Sequence, residues 1–239
     1  MITAFHLLVP REGISGEQFD ATWSGAYRTS AAALENVAKS YIRTPASGES
    51  PLAVMHGTPT VPYAGVDAFS FATVGEALAF PHSAAYTAGP GAIEPSFIDA
   101  GRSAWLVTKE LVLTNGAPRG AGDTGPGVKT IVTFDRAQGQ AIDDCYSHWE
   151  NVHAPMSRRT PGVSRVALYS VSAEQHSRPG GAAYDAVAIS WWRTEQDFET
   201  FFAAASMAVD MAEDIPKFTD MSTYYSLACR GEEDWVFGD

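Results

Sequence analysis

The stretch "HWENVHAPMSRR", His148 to Arg159, holds two of the six histidines in a chain of 239 residues. A tryptophan and a glutamate stand beside them, so two chemistries are open: metal ligation, or proton transfer by an imidazole. On a helix, residues at i, i+4 and i+8 share a face. Cys145, Trp149 and His153 then form one stripe, with Glu150 three residues before His153. His148 lies about 140° around the helix from His153, at ~100° per residue. Metal ligands must converge from one side, and no HExxH or zinc-type cysteine spacing accompanies these residues. No metal is expected; its one route is Glu150 and His153 with a third ligand from elsewhere. What remains is His153, set at a helix end by "AP", because Pro155 turns Ala154 away from helical geometry. The bland reading is a histidine held in a last turn by the helix dipole. The same dipole favours the protonated form and would raise the pKa toward neutrality, which suits general acid–base work.

Composition narrows the rest. A net charge of −12 and a pI near 4.8 argue against nucleic acid and anionic membrane as partners, since both call for clustered Lys and Arg. Two cysteines, Cys145 and Cys229, make no disulfide framework and fit a reducing, cytoplasmic setting. "MITAFHLLVPREG" reads as a first strand, not a leader, and no apolar run approaches a membrane span. There is no dinucleotide fingerprint, no P-loop and no nucleophile elbow, so no cofactor is expected.

The elements that must position His153 are written twice. Residues 115–127, "NGAPRGAGDTGPG", read as a linker between a first unit, 1–114, and a second, 128–239. In the first unit "ITAFHLLV", "AKSYIRT", "VDAFSFATV" and "SAWLVTKELVL" are strand-like. A helix opened by Ser15 follows the first strand, and "GEALAFPHSAAYTAG" is a helix broken near Pro81. The second unit has "VKTIVTF", "VSRVALYSV", "YDAVAISWW" and "MSTYYSLAC" as strands, with helices over "AIDDCYSHWENVHAPMSRR" and "TEQDFETFFAAASMAVDMAEDI". Both orders are βαββαβ, the ferredoxin-like unit. A constant shift of 126 sets Trp23 on Trp149, Val37 on Val163, Lys39 on Arg165 and Ile42 on Leu168. One such unit leaves a bare sheet face, so two are expected to pack sheet to sheet in an α+β barrel within one chain.

Partners for His153 would come from the same half: Tyr146 on its helix, Arg165 and Tyr169 on the next strand, Asp185 and Trp191 on the one after. Strand alternation places Arg165, Ala167 and Tyr169 on one face, either toward a pocket or at a solvated edge. Asp185 matches Asp67 of the other half, which points to a structural turn. His6 reads as a core histidine, His82 as a candidate for a first-half pocket, and Arg158 and Arg159 as a solvated helix end or an anion contact.

A helix carrying Trp149 and then His153-Ala154-Pro155, followed by Pro161, Gly162, Val163 and Arg165 entering a strand, resembles the EthD-like branch of the dimeric α+β barrel superfamily. The likeness covers most of 128–230, and the first half only by layout. It implies a pocket between helices and sheet with the helix histidine facing in. His153, Arg165 and Tyr169 become the catalytic candidates, and Trp149, Tyr146 and Trp191, with Trp23 and Tyr27 of the first half, the substrate contacts. In the first half Tyr27 stands where the histidine would be, beside Trp23, so that half is a degenerate scaffold or a different pocket. The resemblance implies a cofactor-independent lyase, dehydratase or cyclase acting on a small apolar or aromatic, polyketide-like compound. Cofactor-free or haem-dependent oxygenation and non-catalytic ligand binding stay open, as does pairing of the fused barrel into a homodimer.

Overall fold

The computed structural model describes residues 1–48, 50–58, 62–114, 127–159, 162–204, 207–230 and 234–238. Most of the expected linker, 115–126, and Pro161 lie outside the described residues.

Local chemistry sets the helices. Ser15 accepts from the Gln18 amide while the Gln18 side chain accepts from the Ser15 amide, a reciprocal cap that opens Gly16–Thr22. In the second half Ile142–His148 occupies the same place. Both helices then widen into a π-turn at matching positions, Trp23–Tyr27 and Trp149–His153, before α-helix resumes at Arg28–Ala32 and Ala154–Arg159. His153 is therefore not at a helix end, as Pro155 suggested. Ala154 keeps helical φ −62°, ψ −36°, and its amide donates to Trp149 five residues back. Proline follows directly on the turn where the i−4 ladder is already broken, so its missing N–H does not end the helix.

Nine strands are seen among the described residues: β1 Ile2–Leu8, β2 Ser40–Pro45, β3 Gly65–Phe71, β4 Ala104–Thr114, β5 Val128–Phe134, β6 Val163–Val171, β7 Ala186–Trp192, β8 Tyr225–Arg230 and β9 Asp234–Phe237. They form one antiparallel sheet in the order β8-β5-β7-β6-β4-β1-β3-β2-β9. Each half has the ferredoxin-like strand order, and a β4–β6 ladder from Thr108↔Val171 to Thr114↔Arg165 welds them. The far edges also meet. The Ser47 amide donates to the Ala228 carbonyl at 2.8 Å, and the Ser50 and Ser226 hydroxyls lie 2.7 Å apart. The sheet thus curls on itself. Its inner face is one core in which Phe5, Leu7, Val66 and Leu106 of the first half meet Ile131, Ala167, Val187 and Leu227 of the second. The helices cover the outer face, over a separate core in each half. This is the α+β barrel of two fused βαββαβ units.

The constant shift holds through β1 and β5 and the helices after them, then slips. Tyr41 and Arg43 pair with Phe69 and Asp67, whereas Val166 and Leu168 pair with Ser190 and Ala188. The counterpart of Leu168 is Arg43, not Ile42, because Ile42 is a residue off and points into the barrel. Likewise His6 pairs with Asp67 as Val132 pairs with Ala188. Asp67 therefore corresponds to Ala188, and Asp185 lies before its strand, bound to the Arg136 guanidinium at 2.8–2.9 Å. Some short elements had no signal in the pattern, among them the helices Pro51–His56 and Ala173–His176 and the edge strand β9, which pairs with β2. No helix among the described residues is long and apolar enough to cross a membrane.

Candidate active site

A cavity of about 60 Å³ lies between the outer sheet face of the second repeat and its helices. Its floor is Thr130, Val132, Val166, Leu168, Ala188 and Ser190. Trp149, His153 and Ser157 line it from the first helix, Met211 and Ile215 from the last, and Leu52 enters from the other repeat. The matching floor of the first repeat carries Tyr41, Arg43, Asp67 and Phe69, with Trp105 opposite His6. There Tyr41 stacks on Phe69 at 4.2 Å, and the Arg43 guanidinium lies 4.2 Å over Trp23. Trp23 Nε1 and Tyr41 Oη donate to Asp67 at 3.1 and 2.8 Å, and Tyr27 bonds to Tyr86, which reaches Glu94. Bulky side chains and the hydrogen bonds among them crowd that half; aliphatic and hydroxyl side chains leave the other open. His6 is buried against Trp105, as expected of a core histidine, while His82 is exposed.

The π-turn changes what the two histidines do. A turn closed by an i+5 bond brings residues five apart to nearly one face, so His148 and His153 converge, against the 140° separation of a regular helix. They meet on Asp214. His153 Nδ1 is 3.1 Å from Asp214 Oδ2, and His148 Nε2 is 3.1 Å from Oδ1, with Lys217 Nζ at 3.4 Å. Asp214 is buried; burial alone would raise its pKa, but the hydrogen bonds from the two histidines overcome this and hold it low. Burial pushes His153 down to about 4 against the opposing pull of Asp214, so it is neutral at physiological pH. The dipole argument predicted the opposite direction, and desolvation wins because the ring is shut in under the sheet. An ionised Asp214 accepts the Nδ1 proton and leaves the Nε2 lone pair for the cavity that the ring lines. No metal-holding group of three or more acidic, His or Cys residues occurs among the described residues.

Two cavity-lining polar atoms, Trp192 Nε1 and Thr219 Oγ1, are buried without a hydrogen-bond partner. Native interiors seldom leave such atoms orphaned, and a polar ligand in the cavity would supply their partners.

Of the residues singled out by sequence, His153 and Trp149 stand together on the cavity wall. Tyr146 donates to the Asp185 carbonyl at 2.7 Å, behind it. Arg165, Tyr169 and Trp191 face into the barrel on the other side of the sheet. There Glu110 accepts from Arg165 and Tyr169 at 3.2 and 3.0 Å, and the guanidinium sits 4.5 Å over Trp191. Strand alternation had shown that Arg165 and Tyr169 go together, but not which face they take. It is Trp192 that reaches the cavity. Trp23 and Tyr27 are fully buried in the filled repeat. Arg159 is exposed, and the Arg158 side chain lies outside the described residues. Asp214 went unnoticed because it sits in an acidic stretch with Asp210 and Glu213, where nothing local marks one carboxylate as buried.

Fold and site together define a fused dimeric α+β barrel with a helix histidine over a sheet-floored cavity. Within that class the second repeat is EthD-like: residues 137–222 match the family model of the EthD domain. No curated protein matches the chain. Among solved structures, an anthrone oxidase-like protein is similar over 98% of this chain and 93% of its own, with TM-score 0.66 and 10% identity. A chlorite dismutase variant from Candidatus Nitrospira defluvii gives TM-score 0.55 at 9% identity over 97% and 91% of the two chains. A putative monooxygenase from Lactobacillus acidophilus NCFM gives 0.53 at 8% identity over 98% and 93%. At such identities these likenesses carry the fold alone.

Proposed function

We propose that the second-repeat cavity takes a small, largely apolar, oxygenated compound, aromatic or polyketide-like, and that His153 removes a proton from it as general base. The observation that carries this is the buried Asp214–His153 pair with Nε2 left to a cavity lined by unpartnered polar atoms. A carbon acid next to a carbonyl is the fitting substrate group. Nε2 takes the proton, and the electron pair moves to the carbonyl oxygen as an enolate. Expelling a β-hydroxyl from the enolate gives dehydration, and attack on a second carbonyl gives ring closure, the lyase and cyclase reactions. Proton transfer by one placed base contributes about 10²–10⁴-fold, and the dry cavity strengthens every polar contact made to the oxyanion.

A second reading is oxygenation, favoured by the names of two fold relatives, an anthrone oxidase-like protein and a putative monooxygenase. It shares the deprotonation and differs only in that dioxygen captures the carbanion. Haem does not fit the residues as placed. At about 60 Å³ the cavity is well under the roughly 150 Å³ that holds benzene, and a tetrapyrrole is several times larger. A one- or two-ring compound also exceeds that volume and enters only as the walls move, by far less than haem would require, the flexible Met211 side chain among them.

Deuterium exchange reads the shared step directly. With 2-indanone in D2O under anaerobic conditions, the protein is expected to speed loss of the benzylic proton signals by NMR. His153→Gln should fold and lose at least tenfold of that rate. An unchanged rate removes His153 as the base, and oxygen uptake on admitting air separates the second reading from the first.

A further inference from the structure

The wall that Leu52 supplies belongs to the helix Pro51–His56, an element of the first repeat lying over the second. Ser50 anchors it. Its hydroxyl accepts from the Leu52 amide at the helix N-terminus and meets Ser226 of β8 at 2.7 Å. Leu52 and His56 are one turn apart at i, i+4 and so share a face, while Val54 and Met55 between them are 62% and 38% exposed. Leu52 lines the cavity, and His56, one turn further along the same face, stands just outside that lining. The His56 ring packs edge-on to Tyr224, another cavity wall, with centroids 5.6 Å apart. His56 Nε2 is sealed from solvent and has no hydrogen-bond partner. Burial lowers the pKa of His56, so the ring is a neutral donor and acceptor, and a charge on it would be felt at His153.

We infer that His56 is a second ligand-binding group of this cavity, contributed by the first repeat, and that its Nε2–H donates to the oxygen of the carbonyl compound whose proton His153 removes. This rests on the reading of His153 as a base. It makes the site a joint product of the two repeats: base from one, oxyanion donor from the other. An orphaned buried nitrogen then gains its partner when the ligand enters, and the bond strengthens as the carbonyl oxygen takes up charge.

The test uses the full chain with 15N-labelled histidine and 2-indanone as probe. Ligand addition should shift the His56 Nε2 resonance together with that of His153. His56→Phe should weaken 2-indanone binding roughly tenfold, the worth of one buried hydrogen bond, and slow benzylic exchange further. His56→Gln, which keeps an N–H, should recover part of both. Should His56→Phe fail to fold, the wild-type resonances and His56→Gln decide alone. Binding and exchange with the His56 resonance unmoved, or an undiminished His56→Gln beside an undiminished His56→Phe, would overturn the assignment and leave the His153 reading standing. No exchange by the wild-type protein overturns that reading, and this one with it.

Discussion

An imidazole in a dry site is a base only if its proton sits on the right nitrogen. Asp214 settles this for His153: as a buried anion it can only accept, so Nδ1 carries the hydrogen and Nε2 the lone pair. Asp214→Asn removes that constraint, since an amide can turn its NH2 toward Nδ1 and force the proton onto Nε2. We expect 2-indanone exchange to fall by about 10²-fold or more, on the pattern of other carboxylate–histidine pairs. The wild-type pH dependence has a definite sign. With the folded pKa lowered to about 4, the ring is neutral and active above it, and exchange per bound ligand is lost only as pH falls through that value. The same shift costs stability on acidification, beginning below the unfolded value of 6.5, where the unfolded chain binds a proton that the folded one refuses. A profile with its midpoint between 6 and 7 would contradict the buried, neutral ring. His153 itself was legible from residue type, its place on the helix and the residues after it. Asp214 and His56 were not, because both come from elements 60 to 100 residues away whose own patterns look like ordinary surface helix.

Helices and strands come close in this fold where side chains are absent, and two glycines show how much of that is conformation and how much contact. Gly162, leading into β6, has φ +89°, and a Cβ there would run into the Asp197 backbone carbonyl of the helix Glu195–Ala203. Gly139 has φ +81° with nothing near. Gly139→Ala should cost only the left-handed penalty, about 1–2 kcal/mol. Gly162→Ala should cost that and more, because backbone must move, and thermal melts of the two variants compare them directly. Equal losses would mean that the helix yields freely at Asp197. Strand and helix periods made the four strands of each repeat and the flanking helices readable to within a few residues. The π-turns and the one-residue slip between β2 and β6 were not readable. Each changes which face a residue takes without changing the local polarity pattern, and so the convergence of His148 and His153 and the match of Ile42 to Leu168 were misjudged, while the face taken by Arg165 stayed open.

Across the whole molecule the two repeats have parted roles while sharing one core. The first keeps its sheet face filled with Tyr41, Phe69, Trp23 and Asp67 and lends Leu52 and His56 to the second, which keeps a cavity; a symmetric pair of identical chains would have to make both sites alike. That division is stable only if the repeats fold as one body, since each inner sheet face is apolar and is covered by the other's. Leu106 lies in this shared layer, fully buried, far in sequence from the residues it meets across the barrel. Leu106→Ala should therefore cost about 2–5 kcal/mol, and hydrogen exchange followed by mass spectrometry should show amides in the most protected strands of both repeats losing protection by the same amount. Loss confined to β1, β3 and β4, with β5 and β7 unchanged, would mean that the second repeat stands alone. In that case the sheet-to-sheet contact would not be what holds the helix Pro51–His56 beside the cavity.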